Sequence, residues 1–319
     1  MQYIKLNNSD LNVSRLCLGC MSFGEAELGQ YQWTLPFEKS KEIILKAHEL
    51  GINFFDTSNN YSAGSSERFL GKVIKDFNRK DIVITTKCYF NEGKLKPEAI
   101  HNEISKSLSN LDTDYIDILV LHRYDYDTPV YDTLKALNEE VEKGRIHYYG
   151  VSAMYGYQLA EYCYTAKENN FKPLVTLQNH YSPIYREDER DLIPLAKQFK
   201  IAQTSFAPFA AGRLVRKDYV SDSLRYALDS KEGTRYDKTI ELDKQIANKI
   251  YELSLKYNCS MASICLAWQF YKEVASPIIG ITKLKYLDEM MDCFDLKIDE
   301  KDFLEIDNLY YPHPINCNR

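Results

Sequence analysis

Side chains suited to acid–base chemistry follow three apolar runs of the sequence. The first run ends at Asp56, with Tyr61 five residues further on, the second ends at Lys87, and the third ends at His122. If these runs are neighbouring parallel strands, their carboxyl ends lie at one edge of the sheet. A carboxylate, a phenol, an ammonium group and an imidazole would then meet at one site.

Such a cluster favours proton transfer. A buried Lys87 needs an oppositely charged partner, and Asp56 can supply it. A phenol beside a fixed ammonium group gains a charge that favours its ionised form, which would lower the pKa of Tyr61 from about 10. A general acid that works near neutral pH needs such a shift.

Each residue alone also has an ordinary structural interpretation. The chain has 25 tyrosines, so a single tyrosine carries little information. A lysine that ends a strand is usually solvated, His122 suits a core position, and Asp56 suits a helix N-cap. The functional hypothesis therefore rests on the four residues together.

Short aliphatic or β-branched runs alternate with stretches of helical periodicity along the whole chain. Eight runs are predicted as strands, at 15–19, 53–56, 82–87, 116–122, 147–152, 174–178, 201–206 and 277–280. Alternation of this kind implies a parallel sheet, and eight units in about 300 residues favour a closed (β/α)8 barrel. We expect one domain over 1–319, because no linker or low-complexity tract interrupts the pattern.

Several local signals refine this α/β prediction. Residues 3–6 and 11–13 flank a polar turn and are predicted as an N-terminal hairpin that plugs the barrel floor. Thr128 and Pro129 are expected to be the N-cap and the first residue of a helix, and Gly51 is expected to end another. The long charged stretch at 207–238 is predicted as an irregular loop with a functional role.

Composition narrows the class of protein. The 319 residues are 45% hydrophobic and 27% charged, with a net charge of −6, which disfavours nucleic acid or an anionic membrane as the main partner. No apolar run approaches the ~20 residues needed to span a bilayer, and the N-terminus lacks a signal-peptide pattern. The eight cysteines are interpreted as free thiols, since the lone C-x-x-C has no second metal-binding pair, and a cytoplasmic location is expected.

Several motifs together resemble the aldo-keto reductase family from about residue 12 to residue 292. They are the segments 14–19, 53–57 with Tyr61, 64–67, 121–123, 150–152 and 277–280. The stretches 178–181 and 185–190 are most similar to the aryl-alcohol-dehydrogenase-like branch of microbes and fungi. The resemblance implies a barrel oxidoreductase that reduces aldehydes and ketones to alcohols.

The family's catalytic tetrad matches Asp56, Tyr61, Lys87 and His122 without substitution. By this resemblance Tyr61 donates a proton to the carbonyl oxygen, Lys87 lowers the pKa of Tyr61, and Asp56 fixes Lys87. His122 would orient the carbonyl and stabilise the developing alkoxide. The family's chemistry requires no metal.

The resemblance also implies a nicotinamide cofactor bound across the strand ends. Ser152 and Gln178 match the positions that hold its carboxamide, and Phe206 matches the aromatic residue that stacks on its ring. The positions whose backbone meets the pyrophosphate are Gly212, Arg213 and Leu214.

The adenosine end of the cofactor matches the start of the last helix. Thr282 and Lys283 correspond to the adenosine-phosphate site, and Glu289 corresponds to the adenine contact. Lysine at a helix start suits a 2′-phosphate, which favours NADPH over NADH. Ala153 and Met290 depart from common family residues near the cofactor.

The substrate is expected to be a small aromatic or aliphatic carbonyl compound. Apolar or aromatic residues just past strand ends are candidates for the lining of its pocket, with core or rim packing as an equal alternative: Met21, Phe23, Trp33, Tyr89, Tyr124 and Met154.

Two other functions share the same fold class. Some family members resemble non-catalytic, nucleotide-binding subunits that regulate channels, so the fold alone does not establish turnover. A barrel hydrolase or aldolase would instead use Lys87 as a Schiff-base nucleophile. Asp56 disfavours the latter because it would keep Lys87 protonated. The oligomeric state is not predicted.

Overall fold

The chain begins with a short antiparallel hairpin. A computed structural model describes residues 1–29, 31–217, 224–228, 236 and 239–315. Strands β1 (Tyr3–Lys5) and β2 (Asn12–Ser14) pair around a polar turn, as the sequence predicts. Asn8 in this turn donates from its side-chain amide to the carbonyl oxygens of Leu174 and Phe199, both at 3.0 Å. These bonds tie the hairpin to the main body of the fold.

Eight parallel strands form the central sheet. They are β3 (Cys17–Gly19), β4 (Phe54–Asp56), β5 (Val83–Cys88), β6 (Ile116–Leu121), β7 (Ile146–Ser152), β8 (Thr176–Gln178), β9 (Ala202–Gln203) and β10 (Ile278–Gly280). Their order in the sheet is β10-β3-β4-β5-β6-β7-β8-β9. All eight predicted strands exist, and most of their ends differ from the prediction by one or two residues.

Backbone hydrogen bonds between the last strands close the sheet into a barrel. The amide of Ile278 donates to the Ser205 carbonyl at 2.8 Å, and the amide of Ala275 donates to the Gln203 carbonyl at 2.9 Å. Phe206 forms an isolated parallel bridge with Ile278. The predicted strand at 201–206 is thus shorter than expected, but its last residues still carry the closure of the (β/α)8 barrel.

Helices surround the barrel. They are α1 (Phe37–Glu49), α2 (Ser65–Ile74), α3 (Pro97–Leu111), α4 (Val130–Glu142), α5 (Gly156–Glu168), α6 (Leu192–Gln198), α7 (Leu224–Leu228), α8 (Ile240–Lys256), α9 (Met261–Tyr271), α10 (Lys285–Met290) and α11 (Glu300–Asn308). Helix α3 shows why they form, since Ile100, Ile104 and Leu111 share a buried face and Pro97 occupies its first turn.

Of the two predicted helix ends, the one at Gly51 is confirmed and the one at Thr128 is wrong. Gly51 follows α1 with a φ of +89°, the left-handed conformation expected of a glycine after a helix. The N-cap of α4 is Pro129 rather than Thr128. The Thr128 hydroxyl instead donates to the buried Asp125 Oδ2 at 2.7 Å, which orients it toward that carboxylate.

The core has two layers. The larger one lies between the strands and the helices. The smaller one fills the barrel interior, where Leu6 and Val13 of the hairpin pack with Cys17, Phe54 and Val83 of the barrel strands. The hairpin therefore closes the floor of the barrel, opposite the carboxyl ends of the strands.

The long predicted loop is only partly described. Its described residues include a 3-10 helix at Ala210–Val215 and the short α7. The guanidinium carbon of Arg225 in α7 lies 4.6 Å from the centre of the Trp33 ring. Residues 218–223, 229–235 and 237–238 lie outside the described part.

The cysteines of the described chain are unpaired. Seven are free thiols, six of them buried, and Cys317 lies outside the described residues. Burial raises the pKa of the thiols of Cys17, Cys20 and Cys88. Within the described residues, no helix combines the length and the apolar character that crossing a bilayer requires.

The floor plug gives a stability prediction. Leu6→Ala removes a side chain with 0% exposure from the interior layer, so we expect the free energy of unfolding to fall by about 3 kcal/mol. Leu255→Ala, at a residue that is 64% exposed on α8, should change it by less than about 0.5 kcal/mol. Urea denaturation of the two variants measures the difference. Equal losses in the free energy of unfolding would contradict the packing of the hairpin into the barrel floor.

Candidate active site

The four residues singled out at strand ends meet at one point on the barrel rim. Asp56 ends β4, Lys87 is the penultimate residue of β5, and His122 directly follows β6. Lys87 Nζ donates to Asp56 Oδ2 at 2.6 Å and to Tyr61 Oη at 3.2 Å. The rings of Tyr61 and His122 meet edge to face, with centroids 6.0 Å apart. The adjacent positions of β4, β5 and β6 in the sheet produce this convergence.

Lys87 is held in place by all three of its hydrogens. Besides Asp56 and Tyr61, it donates to the Thr57 carbonyl at 2.8 Å, and the residue is 2% exposed. Burial by itself lowers the pKa of this ammonium group, but Asp56 and Tyr61 together outweigh burial and raise it. Lys87 is therefore a fixed positive charge at neutral pH.

A strained turn presents Tyr61. The residue begins a short 3-10 helix, Tyr61–Gly64, in which Ser62 and Ala63 have φ angles of +45° and +49°. Gly24 of the loop after β3 packs directly against this turn. A Cβ added to Gly24 would lie 2.5 Å from the Ser62 Cβ. The turn that carries Tyr61 can therefore pack this close only because Gly24 has no side chain.

Burial dominates the acidity of Tyr61. Burial raises the pKa of its phenol above 10, whereas the charge and hydrogen bond of Lys87 act in the opposite direction. The expectation that Lys87 lowers the pKa of Tyr61 below 10 is therefore wrong, because desolvation outweighs the ammonium group. Tyr61 is protonated at neutral pH, as a proton donor must be.

His122 is a neutral imidazole. Burial, followed by the charges of Lys87 and Arg123, holds its pKa well below the usual 6.5. Its Nδ1 lies 3.3 Å from Ser58 Oγ, and its Nε2 has no partner among the described residues. One nitrogen is thus anchored and the other is available at the site.

The predicted carboxamide residues lie side by side. Ser152 and Gln178 are register partners in β7 and β8, and both are buried. Gln178 Nε2 donates to Asp56 Oδ1 at 2.7 Å, but its Oε1 is a buried acceptor with no partner in the described chain. A primary amide of a ligand would satisfy this oxygen, so the residues present fit a nicotinamide carboxamide.

The predicted stacking residue is supported from behind. The Phe206 ring is partly exposed and lies parallel to the His180 imidazole, with centroids 5.5 Å apart and planes 6° apart. The His180 ring in turn stacks on Tyr185 at 4.1 Å. This stack fixes the plane of Phe206, as an aromatic platform requires.

The predicted pyrophosphate segment presents backbone. Gly212 has a φ of +93°, and a Cβ added to it would meet nothing within 4 Å. Arg213 and Leu214 are buried, and the Arg213 guanidinium carbon lies 4.8 Å from the Tyr236 ring centre. Because these side chains point into the protein, the open face of the segment at Gly212 is main chain.

The predicted adenosine residues lie on the surface. Thr282, Lys283 and Glu289 are exposed. Thr282 and Lys283 are expected to start the last helix, and they do not. Helix α10 begins only at Lys285, and α11 follows α10 in the chain. A six-residue helix has a small dipole, so the positive charge here comes mainly from Lys283 and Lys285.

The substrate candidates divide into two groups. Phe23 and Met154 are 0% exposed and Trp33 is 4% exposed, which matches the packing alternative. Met21, Tyr89 and Tyr124 are partly exposed on segments that follow strand ends, and the Tyr124 hydroxyl donates to Glu161 at 2.6 Å. The structure therefore leaves only the second group available to a ligand.

Sequence reasoning missed two neighbours of His122. Phe90 is 45% exposed, and its ring centroid lies 4.9 Å from that of His122. Ser58 anchors the other side of the imidazole. Phe90 follows β5 directly after Tyr89, so its position past a strand end was the available signal. Nothing in the sequence marks the Ser58 contact.

No cluster of three or more histidine, cysteine, aspartate or glutamate residues that could hold a metal ion occurs in the part of the chain that the structure describes. At the site, Asp56 and Lys87 instead form an ion pair with each other.

Known proteins are similar to this chain over nearly its whole length. The model of the Aldo/keto reductase family matches residues 15–311. A solved structure of a thermostable aldo-keto reductase, bound to the inhibitor epalrestat, superposes with a TM-score of 0.77 at 24% identity and covers 97% of this chain and 100% of its own. At that identity the structural likeness shows the fold.

Several fungal proteins are similar to this chain in sequence from end to end. A provisionally named aryl-alcohol dehydrogenase of Schizosaccharomyces pombe is 34% identical over 97% of this chain and 96% of its own length. An aldo-keto reductase of Alternaria alternata is 31% identical over 98% of this chain and 92% of its own length. Versiconal hemiacetal acetate reductase of Aspergillus parasiticus is 31% identical, with 99% of both chains covered.

The packing of Gly24 against the Tyr61 turn gives a second prediction. In Gly24→Ala, the new side chain is strained at the native φ of +143° and collides with Ser62. The free energy of unfolding should therefore fall by about 3 kcal/mol. Gly144→Ala is the matched control, because its φ is +72° but a Cβ there meets nothing within 4 Å. The control should lose only about 1 kcal/mol in the same denaturation experiment. If the free energy of unfolding falls equally in both variants, the contact between Gly24 and Ser62 does not restrict the side chain at this position.

Proposed function

The chain belongs to the aldo/keto reductase family, and we propose that it reduces aldehydes or ketones to alcohols with NADPH, with Tyr61 as the proton donor. The family match and the reductases among its relatives establish an oxidoreductase, and a small carbonyl substrate is what this family supports. The choice of cofactor and the roles of individual residues are the proposed part.

One hydrogen bond carries the proposal. Lys87 donates to Tyr61 Oη, so the phenol oxygen accepts and its own hydrogen is not used in that contact. No acceptor for that hydrogen exists among the described residues. A carbonyl oxygen placed beside Tyr61 can therefore take the proton. The phenolate that remains would lie 3.2 Å from a fixed ammonium group, which stabilises it.

His122 completes the proton-transfer geometry. In the tautomer with hydrogen on Nε2, Nδ1 accepts from Ser58 and Nε2 donates toward the site. Its pKa, held low by burial and by nearby cations, keeps the imidazole neutral and avoids a second positive charge next to Lys87. We assign His122 to orienting the carbonyl oxygen and stabilising the developing alkoxide.

Ser152 and Gln178 would hold the carboxamide of the cofactor, and Phe206 would stack on its ring. A bound reduced nicotinamide supplies the hydride that reaches the carbonyl carbon. Gly212 and its neighbours would meet the pyrophosphate with main-chain groups, because a glycine allows close approach. The exposed Lys283 and Lys285 favour a cofactor with a 2′-phosphate, which supports NADPH over NADH.

The geometry argues against the two alternatives. A Schiff-base lysine needs a neutral amine, whereas Lys87 has a raised pKa and donates all three hydrogens. A non-catalytic subunit has no need for a phenol with an available proton beside a buried ion pair. Partly exposed Met21, Tyr89 and Tyr124 support an apolar, aromatic-tolerant substrate pocket.

The role of Tyr61 is tested by removing one oxygen. Tyr61→Phe should lower kcat by about 1,000-fold, because the proton donor is lost, while the Kd of NADPH changes less than about 2-fold. NADPH oxidation with 4-nitrobenzaldehyde, followed by absorbance, measures kcat. Tyr164→Phe, at a tyrosine that is 47% exposed on α5, is the matched control and should behave like the parent. A Tyr61→Phe enzyme with the parent's kcat would remove Tyr61 from this role.

The cofactor proposal is tested at Lys283. Lys283→Ala should raise the Kd of NADPH by about 5-fold through the loss of one exposed charge contact, and should leave the Kd of NADH unchanged. Lys167→Ala, at an exposed lysine on α5, should alter neither value. Calorimetric titration of the parent and the two variants with both nucleotides gives the six Kd values. Equal parent affinities for NADPH and NADH would defeat the phosphate argument.

A further inference from the structure

Gln178 makes a contact that holding a cofactor does not require. Its Nε2 donates to Asp56 Oδ1 at 2.7 Å, while the other oxygen of the same carboxylate accepts from Lys87 at 2.6 Å. Strands β4 and β8 stand four positions apart in the eight-stranded order, so this bond crosses the barrel. Each oxygen of Asp56 thus has one donor, and the two donors come from different sides.

We propose that Gln178 is a positioning residue that couples the carboxamide of the bound nicotinamide to Asp56, and through Asp56 and Lys87 to Tyr61. The inference rests on the proposed function, since it assigns to one residue both a cofactor contact and an effect on proton donation.

The chemistry of the two groups fixes the direction of the coupling. An ionised carboxylate only accepts hydrogen bonds, so the Gln178 amide must turn its NH2 group toward Asp56. Its Oε1 is then forced to the other side, where it is buried without a donor in the described chain. A carboxamide NH2 from the cofactor supplies that donor, and the bound nucleotide thereby locks the amide that holds Asp56.

Loss of this amide should disturb the ion pair. Gln178 and Asp56 are 1% and 2% exposed, so no bulk water replaces the missing donor. A carboxylate held only through Oδ2 can rotate, and Lys87 then loses its fixed distance to Tyr61 Oη. The phenolate left by proton transfer would be less well stabilised.

Ser152 provides the matched comparison. It is the register partner of Gln178 and is assigned to the same carboxamide, but within the described residues it has no hydrogen bond to Asp56. Ser152→Ala therefore removes a cofactor contact alone. Gln178→Met removes a cofactor contact and the Asp56 contact in a side chain of similar size.

The experiment compares these variants in the full-length protein. Calorimetry gives the Kd of NADPH, and steady-state rates at saturating NADPH with 4-nitrobenzaldehyde give kcat from pH 6 to 9. Both variants should bind NADPH about tenfold more weakly. Gln178→Met should in addition have a kcat about tenfold below that of Ser152→Ala, and its crystal structure should show Asp56 Oδ2 moved from Lys87 Nζ.

Gln178→Glu adds a pH readout that a purely structural defect would not produce. A carboxyl group at this position meets Asp56 at hydrogen-bond distance, and two such groups share one proton. As the pH rises and that proton leaves, the added negative charge opposes the developing alkoxide. The kcat of Gln178→Glu should therefore decline at lower pH than that of the parent and of Ser152→Ala.

The outcomes separate the inference from the function. If Gln178→Met matches Ser152→Ala in kcat and retains the Asp56–Lys87 geometry, the coupling is overturned. A Gln178→Glu pH profile that superposes on that of the parent also overturns it. If the parent binds NADPH but reduces no carbonyl compound, the proposed function fails instead. The coupling is then decided by whether Asp56 moves in the Gln178→Met crystal structure.

Discussion

The buried ion pair between Asp56 and Lys87 is the interaction on which the site depends. Removing two charges from water costs several kcal/mol per ion, and their mutual attraction offsets this only with good geometry and further hydrogen bonds. The protein supplies both, because Thr57 and Tyr61 accept from Lys87 and Gln178 donates to Asp56. The same bonds that make the pair tolerable also aim the ammonium group at the phenol. The stability of the rim and the proposed proton transfer therefore depend on the same set of contacts.

Parallel strands in a closed barrel explain why such distant residues can share these contacts. Residues 56, 87 and 122 come from consecutive strands, which places them side by side, whereas residue 178 reaches them across the interior. The hairpin fills the opposite end, so the polar network and the apolar plug occupy different ends of the barrel. Substitutions in one end can then be expected to affect the other mainly through overall stability.

The sequence predicted the barrel well because its signals are local. Alternating strand and helix patterns located all eight barrel strands and the N-terminal hairpin, and the three strand ends located Asp56, Lys87 and His122.

The errors arose where long-range contacts decide the outcome. Thr128 bonds to Asp125 and does not cap α4. Among the substrate candidates, Phe23 and Met154 are buried, which is the packing alternative that the sequence left open. The net pKa of Tyr61 was also misjudged, since the depth of burial cannot be read from residue types. The Gln178–Asp56 bond joins residues 122 positions apart, and no pattern in the chain signals it.

The buried thiols have a consequence for the reactivity of the protein toward electrophiles. An electrophile alkylates cysteine through the thiolate, not through the thiol. Burial raises the pKa of Cys17, Cys20, Cys88, Cys163, Cys265 and Cys293, so these sulfur atoms remain protonated and shielded. Cys17 and Cys20 lie on β3 and on the turn that follows it, and both are 0% exposed. These six positions are therefore protected from alkylation as long as the barrel core stays closed.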